Sequence, residues 1–88
     1  MKTITTEAGF KIEVDPEAFD DMEVVDMLAE VDENPLILSK LLTRTLGKEG
    51  KKAMYDFVRN DKGRVPSGAA LKIFEEIMVL MGEETKNS

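Results

Sequence analysis

"FKIEVDPEAF", residues 10–19, holds the switch on which the fold turns. Its first half alternates: Phe10, Ile12 and Val14 are apolar, whereas Lys11 and Glu13 are charged. Successive strand side chains point to opposite faces, so the three apolar residues line one face. Asp15-Pro16 then ends the strand and opens a helix. A carboxylate at Asp15 accepts from the free N–H groups of a first turn, and proline suits the first helical position. Glu17, Asp20 and Asp21 follow at the positive end of the helix dipole.

Toward the N-terminus, "KTITT" (residues 2–6) is rich in Thr and Ile and alternates in polarity. "EAG" (residues 7–9) supplies a turn, with Gly9 free to take positive φ. Residues 2–14 therefore predict a β-hairpin. An isolated hairpin is marginal in water, so its apolar face must pack on helices.

Toward the C-terminus, Phe19, Met22, Val25, Leu28 and Ala29 recur at helical spacing and predict one helix from Pro16 to about Val31. Asn34-Pro35 repeats the start signal. The second helix carries Leu38, Leu41, Leu42 and Leu46 and ends at Gly47, a left-handed cap. The third, from Lys48 to Asn60, puts Met54, Phe57 and Val58 on one face. Gly50 weakens its first turn by about 1 kcal/mol relative to alanine. The fourth runs from Ser67, its N-cap, to Gly82, and residues 83–88 read as a frayed tail. The expected fold is α+β, mainly α. It is a single domain (1–88) in which an N-terminal β-hairpin precedes a compact bundle of about four helices spanning 16–82.

The chain has 88 residues, no cysteine and no histidine. Disulfides and zinc thiolates are excluded, and the commonest general base is missing. Net charge is −6, which disfavours nucleic-acid backbones and anionic membranes. No apolar run approaches the ~18 residues of a membrane span. The N-terminus lacks the apolar core of a signal peptide, so a cytoplasmic location is expected.

"RNDKGRVPS" (residues 59–67) has the look of a calcium loop. Framed from Asp61, the ligand positions meet Gly63 and Val65, the obligatory glycine is Pro66, and the closing acid is Lys72. It reads instead as a turn with Gly63 at positive φ and Val65 dropping into the core. From Glu13 through Glu33 there are ten acidic residues and no basic one. Glu23, Asp26 and Glu30 share a helix side and are candidate electrostatic contacts. Paired carboxylates on an exposed helix lack the pocket that glycoside hydrolysis requires. An acyl carrier needs a serine in an Asp-Ser-Leu context, and Ser39, Ser67 and Ser88 lack it. From Lys40 to Arg64, eight basic residues face three acidic ones. Arg44, Lys48 and Lys52 are the basic candidates for contact, either between copies or between the halves of the domain. No catalytic residue, metal or cofactor is expected.

The fourth helix is apolar on more than one side. Besides Leu71, Phe74, Ile77, Met78 and Met81 it carries Ile73 and Leu80. Ile73, Ile77 and Leu80 form a second stripe at i, i+4, i+7. Such a helix is buried more than once, either under the hairpin or against another chain. Ile73, Ile77, Leu80 and Met81 are the candidate partner-binding residues.

Three segments, spanning about residues 9–82, resemble a known family. They are "GFKIEVDPEAFDDMEVVDMLAEVDENP", "LLTRTLGKEGKKAMYDFV" with its Leu-Gly-x-x-Gly break, and "DKGRVPSGAALKIFEEIM" with its Gly-Arg-Val turn. The chain resembles the small tail assembly chaperones of long-tailed bacteriophages and of prophages in Gram-positive bacteria. The resemblance implies a non-enzymatic protein of the bacterial cytoplasm. It would bind the tape-measure protein, keep it soluble and be shed before the virion is complete. It also implies, for many members, a longer frameshifted form. The alternative function is an acidic inhibitor or DNA mimic that occupies a basic groove through the carboxylates of residues 15–33.

Overall fold

The computed structural model describes residues 1–86, with side chains described through Gly82. Strands β1 (Lys2–Thr5) and β2 (Lys11–Val14) form an antiparallel pair, with Ile4 opposite Ile12 and Lys2 opposite Val14. Helices α1 (Pro16–Phe19), α2 (Met22–Glu30), α3 (Ile37–Val58) and α4 (Ser67–Lys86) follow. The expected α+β architecture is therefore the observed one, a hairpin and then four helices.

The hairpin turn closes through its own polar groups. Gly9 sits at φ 98°, and its N–H bonds to the Thr6 carbonyl. The Thr6 hydroxyl, buried, accepts from Phe10 N–H. Ile4, Phe10, Ile12 and Val14 are all buried, so the alternation in "FKIEV" does set the inner face.

α3 is the hub of the core: α1, α2, α4 and β2 all pack on it. Its Leu41, Leu42 and Met54 are fully buried, together with Val24 of α2 and Phe74 and Ile77 of α4. Phe19 of α1 stacks on Phe74 with ring centroids 6.2 Å apart. Buried side chains of this size are each worth about 1.5–3 kcal/mol in transfer free energy, so a small core still accumulates stability.

The helix expected over 16–31 is two helices. Asp15 caps α1 by accepting from Glu17 N–H, and α1 ends after one turn. Asp21 is extended (φ −146°, ψ 118°) and caps α2 by accepting from Glu23 N–H. Two aspartates in a row gave the chain a second start, and that break resets the helical phase. Val24 and Val31 are buried, Met27 and Leu28 half-buried, while Met22, Val25 and Ala29 face solvent. The spacing drawn through Phe19 had put those last three in the core.

The Gly47 break falls as expected, whereas other helix boundaries differ, the end of α3 by two residues (Val58 rather than Asn60). α3 begins at Ile37, and Asn34-Pro35 forms a turn whose carbonyls accept from Ile37 and Leu38 N–H, with no side-chain cap. Gly47 interrupts α3 at φ 75°, as its left-handed preference predicts, so the helix has two arms, 37–46 and 48–58. Ser67 is the first residue of α4 rather than its cap, since Ala70 N–H bonds back to the Pro66 carbonyl. The helix also runs past Gly82 to Lys86, so the tail expected over 83–88 is helical that far. Its last two positions lie outside the described residues.

Candidate binding surfaces

Among the described residues, two surface clefts flank α4. The larger, about 600 Å³, lies between the hairpin turn, the end of α3 and one side of α4. Ala8, Phe57, Val58, Ala69 and Ile73 give it an apolar lining, and Glu7, Lys72 and Glu76 edge it. The hairpin turn forms one wall of this cleft. Phe10 leaves the turn and packs on Phe57, with ring centroids 5.1 Å apart at 47°. Glu7 N–H donates to the Glu76 carboxylate, which ties the turn to α4. Phe57 itself remains 42% exposed, a large aromatic surface left to water. The smaller cleft, about 390 Å³, lies between α1 and the C-terminal half of α4, lined by Pro16, Phe19, Met78 and Met81 with Glu17 and Asp20 beside them.

The four residues expected to contact a partner fall in different places. Ile77 is fully buried and Ile73 and Met81 nearly so, whereas Leu80 is half-buried. The stripe Ile73, Ile77, Leu80 is mostly core, on a helix that packs against both α3 and β1. Ile73 and Met81 still reach the floors of the two clefts, but neither offers a free face. Phe57 is the cleft residue that the sequence does not single out, since its spacing only places it on one helix face with Met54 and Val58. It lies three residues from Met54, nearly a full helical turn, so spacing groups the two on one face, and its exposure follows from the cleft rather than from any spacing.

The electrostatic candidates also divide. The Arg44 guanidinium bonds to Asp21 at 2.9 Å and to Glu23 at 2.8 Å, clamping the start of α2 to the first arm of α3. The Arg44 hydrogen bond is the main reason the Asp21 carboxyl is held below the usual aspartate value, with Glu23 N–H adding to it. Arg44 is pushed up in turn, by Asp21 first and Glu23 second. Glu23 and Arg44 are thus spent within the domain. Asp26, Glu30, Lys48 and Lys52 are exposed, and none forms an ion pair among the described residues.

The loop at residues 59–67 uses its oxygens internally. The Asn60 side chain accepts from Lys62 and Arg64 N–H, the Gly63 carbonyl accepts from Arg59, and Gly63 takes φ 79°. Among the described residues no cluster of three acidic side chains is placed to hold a metal. No described helix is long and apolar enough to cross a membrane. Compared with protein-family models, curated proteins and solved structures, the chain matches none.

Proposed function

We propose that this chain is a non-enzymatic tail assembly chaperone of phage or prophage type, which binds helical segments of a tape-measure protein and keeps them soluble. The observation that carries the reading is the cleft beside Phe57. An apolar floor of Val58, Ala69 and Ile73, a half-exposed aromatic wall and a charged edge suit large apolar side chains of a docked amphipathic helix. A long helical protein with unpaired apolar stripes aggregates by itself, and capping those stripes in small clefts keeps it dispersed. The acidic exterior keeps the resulting complex soluble. Such a role acts in the cytoplasm of the bacterial host and leaves nothing in the finished virion.

The test is co-expression with fragments of the tape-measure protein, read by pull-down and by the soluble fraction of the fragment. Ala8 sits exposed at the mouth of the cleft, so Ala8→Arg blocks it without entering the core. Capture falls at least tenfold in that variant and survives Val79→Asp, on the solvent side of α4 away from the cleft lining. Equal capture by the Ala8→Arg variant would exclude this cleft, and failure of the wild-type protein to capture any fragment would exclude the function.

A further inference from the structure

The outward side of α2 is apolar along one line and acidic beside it. Met22, Val25 and Ala29, at i, i+3, i+7, are all exposed, Met22 by 68% and Val25 by 44%. Asp26 and Glu30 run alongside, one turn apart and without ion-pair partners among the described residues. Scattered exposed apolar side chains are ordinary on a protein surface. A continuous line of them on one helix, with carboxylates along its edge, asks for a partner of opposite charge.

The second arm of α3 carries that complement. Lys48, Lys52 and Tyr55 fall at i, i+4, i+7 and share one side of the helix. Tyr55 is half-buried, and the Lys51 ammonium stands 5.9 Å from its ring centroid. Lys48 and Lys52 are exposed. Phe57 lies on the other side of this arm, in the cleft described above, so the two surfaces do not compete.

We propose that the α2 face of one copy docks on the second arm of α3 of another copy. Met22, Val25 and Ala29 would lie against Tyr55 and the aliphatic stems of Lys48 and Lys52, which cover apolar surface while their ammoniums stay outside. Asp26 and Glu30 would meet those ammoniums. The same chain supplies both halves of the match: opposite charge, an aromatic centre and a helix on each side. Because the two faces differ, the contact is heterologous: each added copy leaves one of each face free, and copies add head to tail as an open chain unless the rotation between them closes a ring. The net charge of −6 opposes this at low salt. At about 0.1 M salt the Debye length is ~10 Å, which screens the repulsion between whole molecules more than pairs in contact. This inference does not depend on the tape-measure reading, which uses the other side of the α3 arm.

The experiment is analytical ultracentrifugation of the full chain at 0.1–0.15 M salt from about 10 μM to about 1 mM, the range of weak association. The average mass of the wild-type protein rises with concentration above its 9.8 kDa monomer and passes twice that value without a plateau. The variants Asp26→Lys with Glu30→Lys, and Lys48→Glu with Lys52→Glu, each stay monomeric. All four positions are exposed, and circular dichroism confirms that each variant is folded. Mixing the two variants restores association, because the intact acidic face of one meets the intact basic face of the other. A wild-type protein that remains monomeric to 1 mM, or variants that associate unchanged, would overturn the proposal. So would a monomeric wild type whose α2 variant loses capture of a tape-measure fragment, since the face would then belong to a foreign helix.

Discussion

The Cα of Gly50, in the second arm of α3, stands so close to Ile12 of β2 that an added Cβ would lie 3.2 Å from Ile12 Cδ1 and 2.9 Å from Leu46 Cβ. Helix and hairpin meet there without room for a methyl group. Helix propensity alone favours alanine by about 1 kcal/mol. The contact reverses that sign, because Leu46 Cβ is fixed by its backbone and cannot swing away. Gly50→Ala is expected to destabilise by about 1–3 kcal/mol, the usual cost of overpacking. Gly68, in the first turn of α4, has open space where its Cβ would be. Gly68→Ala is expected to stabilise by about 0.4–1 kcal/mol. Urea unfolding of both variants checks the pair, and a stabilised Gly50→Ala protein would mean that Leu46 and Ile12 do not crowd Gly50.

The Asp21–Arg44 pair predicts a pH dependence. Asp21 has a lowered pKa in the folded protein, so the folded state prefers its ionised form. That contribution is fully present above the unfolded aspartate value of 3.8 and is lost as pH falls below it through the folded value. Both side chains are partly solvated, so the effect is modest and weakens with salt. Asparagine is as good an N-cap as aspartate, so Asp21→Asn removes the charge and keeps the cap. The denaturation midpoint of the wild-type protein should drop between pH 4 and pH 2 more steeply than that of Asp21→Asn. Parallel curves would show that the pair contributes nothing.

The helical phase of α2 gives a third prediction. Val24 is fully buried and its neighbour Val25 is 44% exposed. Val24→Asp places an unpaired charge in the core, costs several kcal/mol and leaves little folded protein. Val25→Asp changes the far-ultraviolet dichroism little. It adds only a like charge four residues after Asp21, at a cost of some tenths of a kcal/mol. The reverse outcome would restore the phase drawn through Phe19, with Met22 and Val25 inside.

That phase error shows what the sequence could and could not carry. The hairpin was legible because alternation over "FKIEV" and a glycine turn depend only on local geometry, and Gly47 and Gly63 were legible as positive-φ positions for the same reason. α2 was misread because Asp20-Asp21 looked like first-turn acids of one helix rather than the start of another. The difference lies in Arg44, 23 residues on, which anchors Asp21 where the helix restarts. Ile73 and Ile77 read as surplus apolar surface because nothing in the α4 sequence records that the helix is packed by both α3 and β1. The exposure of Phe57 is not legible in the sequence because its wall of the cleft is completed by the hairpin turn, some 50 residues away in the chain.

The last prediction separates the apolar cleft from the acidic surface as the seat of binding. If tape-measure segments enter the cleft beside Phe57, apolar burial supplies most of the affinity, and that term is insensitive to ionic strength. Affinity should then change less than about threefold between 0.05 and 0.5 M salt. Binding through the exposed carboxylates of α2 should weaken by an order of magnitude or more over the same range, as screened charge pairs do. Fluorescence anisotropy of a labelled tape-measure peptide reads either slope directly. Phe57→Ala sharpens the comparison, because it removes the aromatic wall yet leaves every charge in place. It also strips Phe10 of its ring partner, worth about 0.5–1.5 kcal/mol beyond area, so the variant is measured below its own unfolding transition. A salt-insensitive affinity that falls tenfold in Phe57→Ala places binding in the cleft. A steep salt slope that Phe57→Ala leaves untouched would move it to the acidic surface and favour an inhibitor of a basic partner over a chaperone.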